Sequence, residues 1–312
     1  MKKPEKPSVR QHQLKLLLVT LFVWVLLSCA SVPKPSSFYK NPPDEFSALD
    51  GGGTSYFYID VKKSAPILDN LETELIPRGG RTGQIRDMTD KVAAVTFREG
   101  SGRKYMAIAY GKFPKFRASL SLAFSSEWKK KKSPTGNSYW YSSKQSLSVF
   151  LNKDRAYVSD GDPFVIPPGF SAPPLLGELS EGAVLAGMTV DAKETVSRFL
   201  DDMGLAIKFP GEVILFGLYE EKESPENEIS YRGLFYIETP SVREARAFQS
   251  VFALARMLLL GGGMTAVDDE YASALTALFT NSPELEDSTI ILRTGPLSGQ
   301  GIALLFNLFT VY

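Results

Sequence analysis

SYFYIDVKKSAPILDNLE, Ser55 to Glu72, reads as a strand running into a helix, with Asp60 placed as the helix N-cap. AVLAGMTVDAKETVSRFLDDM, Ala183 to Met203, repeats that plan with its turn at Asp191. Asp60 and Asp191, then Lys62 and Lys193, hold matching places, and Leu-Asp-Asn-Leu answers Leu-Asp-Asp-Met. A unit stated twice in one chain predicts an internal repeat.

The parallel continues outward. Lys91 to Arg98 (KVAAVTFR) and Glu212 to Tyr219 (EVILFGLY) are short β-rich runs. Each is followed by a charged turn and a second strand, KYMAIAY at Lys104 to Tyr110 and SYRGLFYIE at Ser230 to Glu238. Pro114 and Pro240 then open helices, where a fixed φ and a missing N–H do no harm. These helices are expected over 114–128 and 240–260, with a third over 268–279. More strands close each half, near 139–158 and 289–311. The order β-α-β-β-α-β with hairpins predicts an α+β fold of two related halves, each an antiparallel sheet with helices packed on one face.

The boundaries follow from composition. Residues 30–54 are rich in Pro, Ser and Gly and read as a flexible tether, counted from residue 29. DPFVIPPGFSAPPLLGELSEG, residues 162–182, has five prolines and reads as a linker or wrapping loop. The expected units are therefore a first half over 55–161 and a second over 183–312.

Ahead of the tether, Lys2, Lys3, Lys6, Arg10 and Lys15 form a positive leader, and LLLVTLFVWVLL (Leu16 to Leu27) is an apolar run too short to span a bilayer. Small residues follow, which completes the plan of a secretory signal peptide over 1–28. Its ending, Leu26-Leu27-Ser28-Cys29, holds the only cysteine of the chain and resembles the lipobox of bacterial lipoproteins. The resemblance implies diacylglycerylation of Cys29, cleavage just before it, and usually acylation of the new amine. Ala30 in place of aspartate implies, by the enterobacterial sorting rule, the periplasmic face of the outer membrane.

Maturation changes what the chain can do. It removes five Lys/Arg and one acid from the 35 of each, leaving 30 basic and 34 acidic residues, a net charge of −4. A mildly acidic body argues against nucleic acid as a partner. The sole histidine, His12, leaves with the leader, and Cys29 is spent on lipid. Without histidine or a free thiol, Ser-His and Cys-His nucleophile pairs are excluded, with almost every zinc, copper or haem site. GPLSGQG (Gly295 to Gly301) lacks the Lys-Ser/Thr of a phosphate loop, and the pairs Asp201-Asp202 and Asp268-Asp269 are neighbours that do not face each other. The expectation is a non-enzyme without catalytic residues, metal or cofactor.

Contact residues are sought instead on the helices. Phe116, Leu120, Phe124 and Trp128 recur at spacings of four, with Arg117, Ser119, Ser121 and Ser125 elsewhere, and Lys129, Lys130, Lys131 and Lys132 follow directly. An aromatic stripe ending in cations is the pattern of an interfacial helix whose lysines meet anionic headgroups. The alternatives are a core helix and a solvated hairpin turn completed by Ser133 to Asn137. In the second helix Phe248, Phe252, Leu258 and Leu259 lie on a wide stripe, and VFALARMLLL is apolar all round except Arg256. Such a helix needs a neighbouring helix, a pocket holding an acyl chain, or the bilayer. Gly261-Gly262-Gly263 then allows a hinge or a tight connection. GIALLFNLFTVY at the end resembles the closing strand of outer-membrane barrels, but the chain lacks a series of alternating strands, so a last strand of a soluble sheet is expected.

Lipidated cysteine, Pro/Ser tether and duplicated α+β body together resemble the envelope lipoproteins of diderm bacteria. Within them the layout resembles treponemal outer-membrane lipoproteins that insert amphipathic helices into the membrane. That resemblance implies membrane lipids as partners, through acylated Cys29 and the helices. The alternative is an interaction or scaffold lipoprotein whose partner is another envelope protein and whose acyl group alone touches the membrane.

Overall fold

The computed structural model describes residues 49, 53–75, 86–99, 102–165, 174–190, 192–193, 196–197, 209–221, 229–260 and 269–303. The expected signal peptide, Cys29, most of the tether, the triple glycine and residues 304–312 lie outside the described residues.

The fold is α+β and centres on a large antiparallel sheet. Its strands are β1 (Ser55–Asp60), β2 (Thr89–Glu99), β3 (Gly102–Gly111), β4 (Lys129–Lys132), β5 (Ser138–Ser142), β6 (Leu147–Leu151), β7 (Arg155–Ser159), β8 (Leu185–Thr189), β9 (Val213–Glu221), β10 (Ser230–Glu238), β11 (Glu284–Glu286), β12 (Thr289–Arg293) and β13 (Leu297–Ser298). The helices are α1 (Ala65–Leu75), α2 (Lys115–Phe124), α3 (Pro174–Ser180), α4 (Val242–Leu260) and α5 (Asp269–Phe279).

The strand order is β11-β12-β10-β9-β8-β1-β2-β3-β7-β6-β5-β4, with β13 beside β10. Two separate sheets were expected, and this is the main correction. β1 pairs antiparallel with β8, from Ser55 opposite Thr189 to Ile59 opposite Leu185, so the first and second halves share one sheet. From that central pair the order runs β1-β2-β3-β7 on one side and β8-β9-β10-β12 on the other.

Side-chain alternation divides the sheet into two apolar faces. On the front, Tyr105, Ala109, Val149 and Val158 form one cluster with α2, and Leu185, Leu218 and Tyr231 form a second with Ile67 of α1 and Leu275 of α5. A third joins Ile237 and Ile290 to Ala245 of α4. On the back, Tyr56, Tyr58, Val95, Met106 and Ile108 pack under Leu176 and Leu179. Four helices thus cover the front, as an α+β order requires, and α3 alone caps the back.

Four local expectations change. Residues 174–180 of the proline-rich stretch form α3, whose Leu176 and Leu179 are buried in the back cluster. Leu49 is fully buried in the same cluster, and the Gly53 N–H donates to Tyr56 Oη at 3.0 Å, so the last part of the tether belongs to the body. Residues 299–303 are helical rather than part of a closing strand, with Ile302 buried beside Leu297. α2 ends at Phe124, one turn before Trp128. At the seam Gly187 is required for close approach, because a Cβ there would lie 2.6 Å from the Phe216 ring and 3.1 Å from Phe57.

Candidate membrane-contact site

The site starts from KFRASLSLAF, the ten residues of α2. Pro114 precedes the helix, and at the other end the Ser125 N–H donates to Leu122 O at 3.3 Å while Ser125 turns extended. Ala118 and Leu122, four apart, are 1% and 4% exposed and pack onto the front cluster. The opposite side carries Phe116 at 76%, Leu120 at 46% and Phe124 at 83% exposure. Core helices bury their largest apolar side chains, whereas α2 buries an alanine and a leucine and turns two phenylalanines outward.

The charges around this stripe are mostly positive, and the acid at its end, Glu127, is paired with Lys144. Lys115 and Arg117 are exposed on α2 itself. Lys129, Lys130, Lys131 and Lys132 are not a turn; they make up β4, a fully exposed strand at one edge of the sheet. The turn lies one step later, closed by the Ser133 N–H to Asn137 O at 2.7 Å, with Gly136 at a φ of +89°. Lys131 Nζ stands 3.5 Å over the centre of the Tyr141 ring. A shallow, open cleft of about 670 Å³ runs along Arg117, Leu120, Ser121, Phe124 and Ser125 to Glu127.

Other predicted contact residues are placed differently. Trp128 is 4% exposed and belongs to the cluster beneath α2, together with Phe113. Phe252 is 5% exposed and stacks on Phe279 at 4.6 Å, while the half-buried Phe248 meets Phe209 edge-on at 5.7 Å. Both face the core. Leu258 and Leu259 lie in α4, and their side chains are outside the described set, as is Cys29. The outer side of α4 instead exposes Leu254 at 53% and Met257 at 63%. Those two were missed, although VFALARMLLL held the signal: a run apolar all round must turn some residue outward.

Beneath α2, burial holds the Tyr105 phenol well above its ordinary range, with the nearby Asp160 adding to the effect. The Asp160 carboxyl is itself pushed up to about 6 by burial, against its bond from the Tyr105 N–H at 3.2 Å and the pull of Lys104. Among the described residues no cluster of three His, Cys, Asp or Glu side chains could hold a metal ion. Among them, too, no helix is long and apolar enough to cross a membrane.

No family model and no curated protein matches the chain. Among solved structures it is similar to three crystal forms of the treponemal protein TP0453, forms I, III and IV. The fold is that of TP0453. Form I aligns at a TM-score of 0.55 with 14% identity, over 87% of this chain and 99% of TP0453. Form III aligns with the same score and identity over 85% and 98%. The likeness to TP0453 therefore spans both halves of the sheet and not one of them alone.

Proposed function

We propose that the protein is a non-enzymatic lipoprotein of the bacterial envelope, anchored through acylated Cys29, that lays α2 against the membrane. The observation that carries this reading is the exposure of Phe116, Leu120 and Phe124 as one stripe, four residues apart, beside Lys115 and Arg117 of α2 and on the face of the sheet to which Lys130 and Lys132 of β4 point. Apolar side chains of this size entering the headgroup boundary, with lysines meeting anionic lipid, match the chemistry of an interfacial helix. Leu254 and Met257 on α4 offer a second apolar contact on another front-face helix. The TP0453-like fold and the resemblance of Leu26 to Cys29 to a lipobox support an envelope lipoprotein of treponemal type, and Ala30 supports the periplasmic face of the outer membrane.

Flotation of a form lacking residues 1–30 with vesicles of mixed phosphatidylglycerol and phosphatidylcholine tests the helix contact apart from the acyl anchor. That form is expected to rise with the vesicles, and Phe116→Ser with Phe124→Ser is expected to leave it in the bottom fraction. Should the unsubstituted form already stay at the bottom, the scaffold reading with an envelope protein partner takes its place.

A further inference from the structure

The two ends of the sheet carry opposite charge. At one end β4 is Lys-Lys-Lys-Lys, fully exposed, and among the described residues pairs only with β5. At the other end β11 is Glu284-Leu285-Glu286 and among the described residues pairs only with β12. Each therefore presents a row of backbone N–H and C=O groups to the outside. Charged edges prevent like edges from joining: β4 against β4 opposes eight lysines, and β11 against β11 opposes four glutamates. They do not prevent β4 from meeting β11.

Direction and facing both fit such a meeting. The path from β11 to β4 has twelve strands, and every neighbouring pair is antiparallel, so the two terminal strands run in opposite directions. A second copy added in the same orientation thus brings its β11 antiparallel to β4, front face continuing front face. Lys129 and Lys131 lie opposite Tyr141 and Tyr139 on the back, since the intervening Trp140 packs into the front cluster. Glu284 and Glu286 also lie on the back, since Leu285 between them packs into the front cluster with Ile290. In antiparallel register Lys129 then faces Glu286, Lys130 faces Leu285 and Lys131 faces Glu284. Both ion pairs fall on one face, and the leucine meets the stem of Lys130 on the other.

We propose that this chain self-associates head to tail, β4 of one copy adding to β11 of the next. The contact is heterologous: each added copy leaves one basic and one acidic edge free, so assembly is open rather than closed at the dimer. It involves neither Phe116 nor Phe124, and its ion pairs use Lys129 and Lys131 on the back, whereas the membrane reading draws on the front-facing Lys130 and Lys132, so the two share only Lys130.

Sedimentation velocity of the full-length protein in detergent tests this. A concentration-dependent series of oligomers is expected at about 0.05 M salt and its loss at about 1 M. Lys129→Glu with Lys131→Glu makes the back-face positions of both edges acidic, and Glu284→Lys with Glu286→Lys makes those of both basic. Each variant alone is expected to associate roughly tenfold or more weakly than the parent. Mixed in equal amounts they are expected to recover association, because the basic β4 of one again faces the acidic β11 of the other. Phe116→Ser with Phe124→Ser is expected to assemble like the parent. A parent that stays monomeric at all concentrations, variants that assemble alone as well as the parent, or a mixture without recovery overturns the proposal.

Discussion

Asp160 follows the last residue of β7, and its carboxylate accepts the Tyr105 N–H at 3.2 Å while its own N–H donates to Tyr105 O at 3.4 Å. Burial raises its pKa from 3.8 to about 6, so the folded state holds this proton more tightly than the unfolded chain. A carboxyl raised on folding contributes stability at low pH, and that stability is lost as pH climbs from about 4 to about 6. A two-unit shift corresponds to about 2.7 kcal/mol, reduced to about 1 kcal/mol because solvent still reaches the group. Asparagine keeps the acceptor for the Tyr105 N–H and removes the buried charge. Asp160→Asn is therefore expected to melt with the parent near pH 4 and above it at pH 7.5. Thermal melts at the two pH values check this, and a lower melting point for the variant at pH 7.5 would count against it. Nothing in the sequence flags Asp160, since its environment is made by β3, fifty-five residues away.

At the scale of the element, α2 is a helix with two apolar sides that do opposite work. Trp128 continues the four-residue spacing of Phe116, Leu120 and Phe124 only on paper, because the helix stops at Phe124 and the chain turns the indole into the core. Truncating a buried tryptophan costs about 3–5 kcal/mol, whereas an exposed phenylalanine has almost no burial to lose. Trp128→Ser is expected to lower stability by that amount in urea, and Phe124→Ser to stay within about 0.5 kcal/mol of the parent. Equal losses in the two variants would mean that Phe124 is packed. The same contrast explains what the sequence could show. Periodicity located β1, β9, β10, α4 and α5 closely, and the strand-turn-strand at 129–142 was half visible in Ser133 to Asn137. It could not place Trp128, because Ser125 and Ser126 carry no Gly or Pro stop signal. Four lysines look solvated whether they lie in a turn or an edge strand, so β4 was hidden by composition. Phe252 and Leu254 sit two apart on an all-apolar run, and only the position of Phe279 decides which one is covered.

At the scale of the molecule, the β1–β8 ladder is what makes two sequence halves one structure. Repeats announce that units resemble each other, but not whether their edges are left free or paired, because pairing across 130 residues leaves no local trace. The seam rests on a small residue: Gly187 lets Phe57 and Phe216 close over β8, and Phe216 stacks on Phe235 at 5.9 Å. A valine at 187 puts its Cβ 2.6 Å from the Phe216 ring and forces both aromatics to move, at a cost of about 1–3 kcal/mol. Trp128 and Trp140 both belong to the cluster under α2, five strands from the seam along β1-β2-β3-β7-β6. In a form lacking residues 1–30 they are the only tryptophans, since Trp24 lies in the leader. If one cooperative sheet spans both halves, Gly187→Val shifts the urea midpoint seen by tryptophan fluorescence and by far-ultraviolet circular dichroism equally. If the halves unfold separately, fluorescence keeps its parent midpoint while the dichroism splits into two steps. Coincident, displaced transitions are the expected result, because breaking the ladder exposes Tyr56 and Tyr58 of the first half as directly as Ala186 and Met188 of the second.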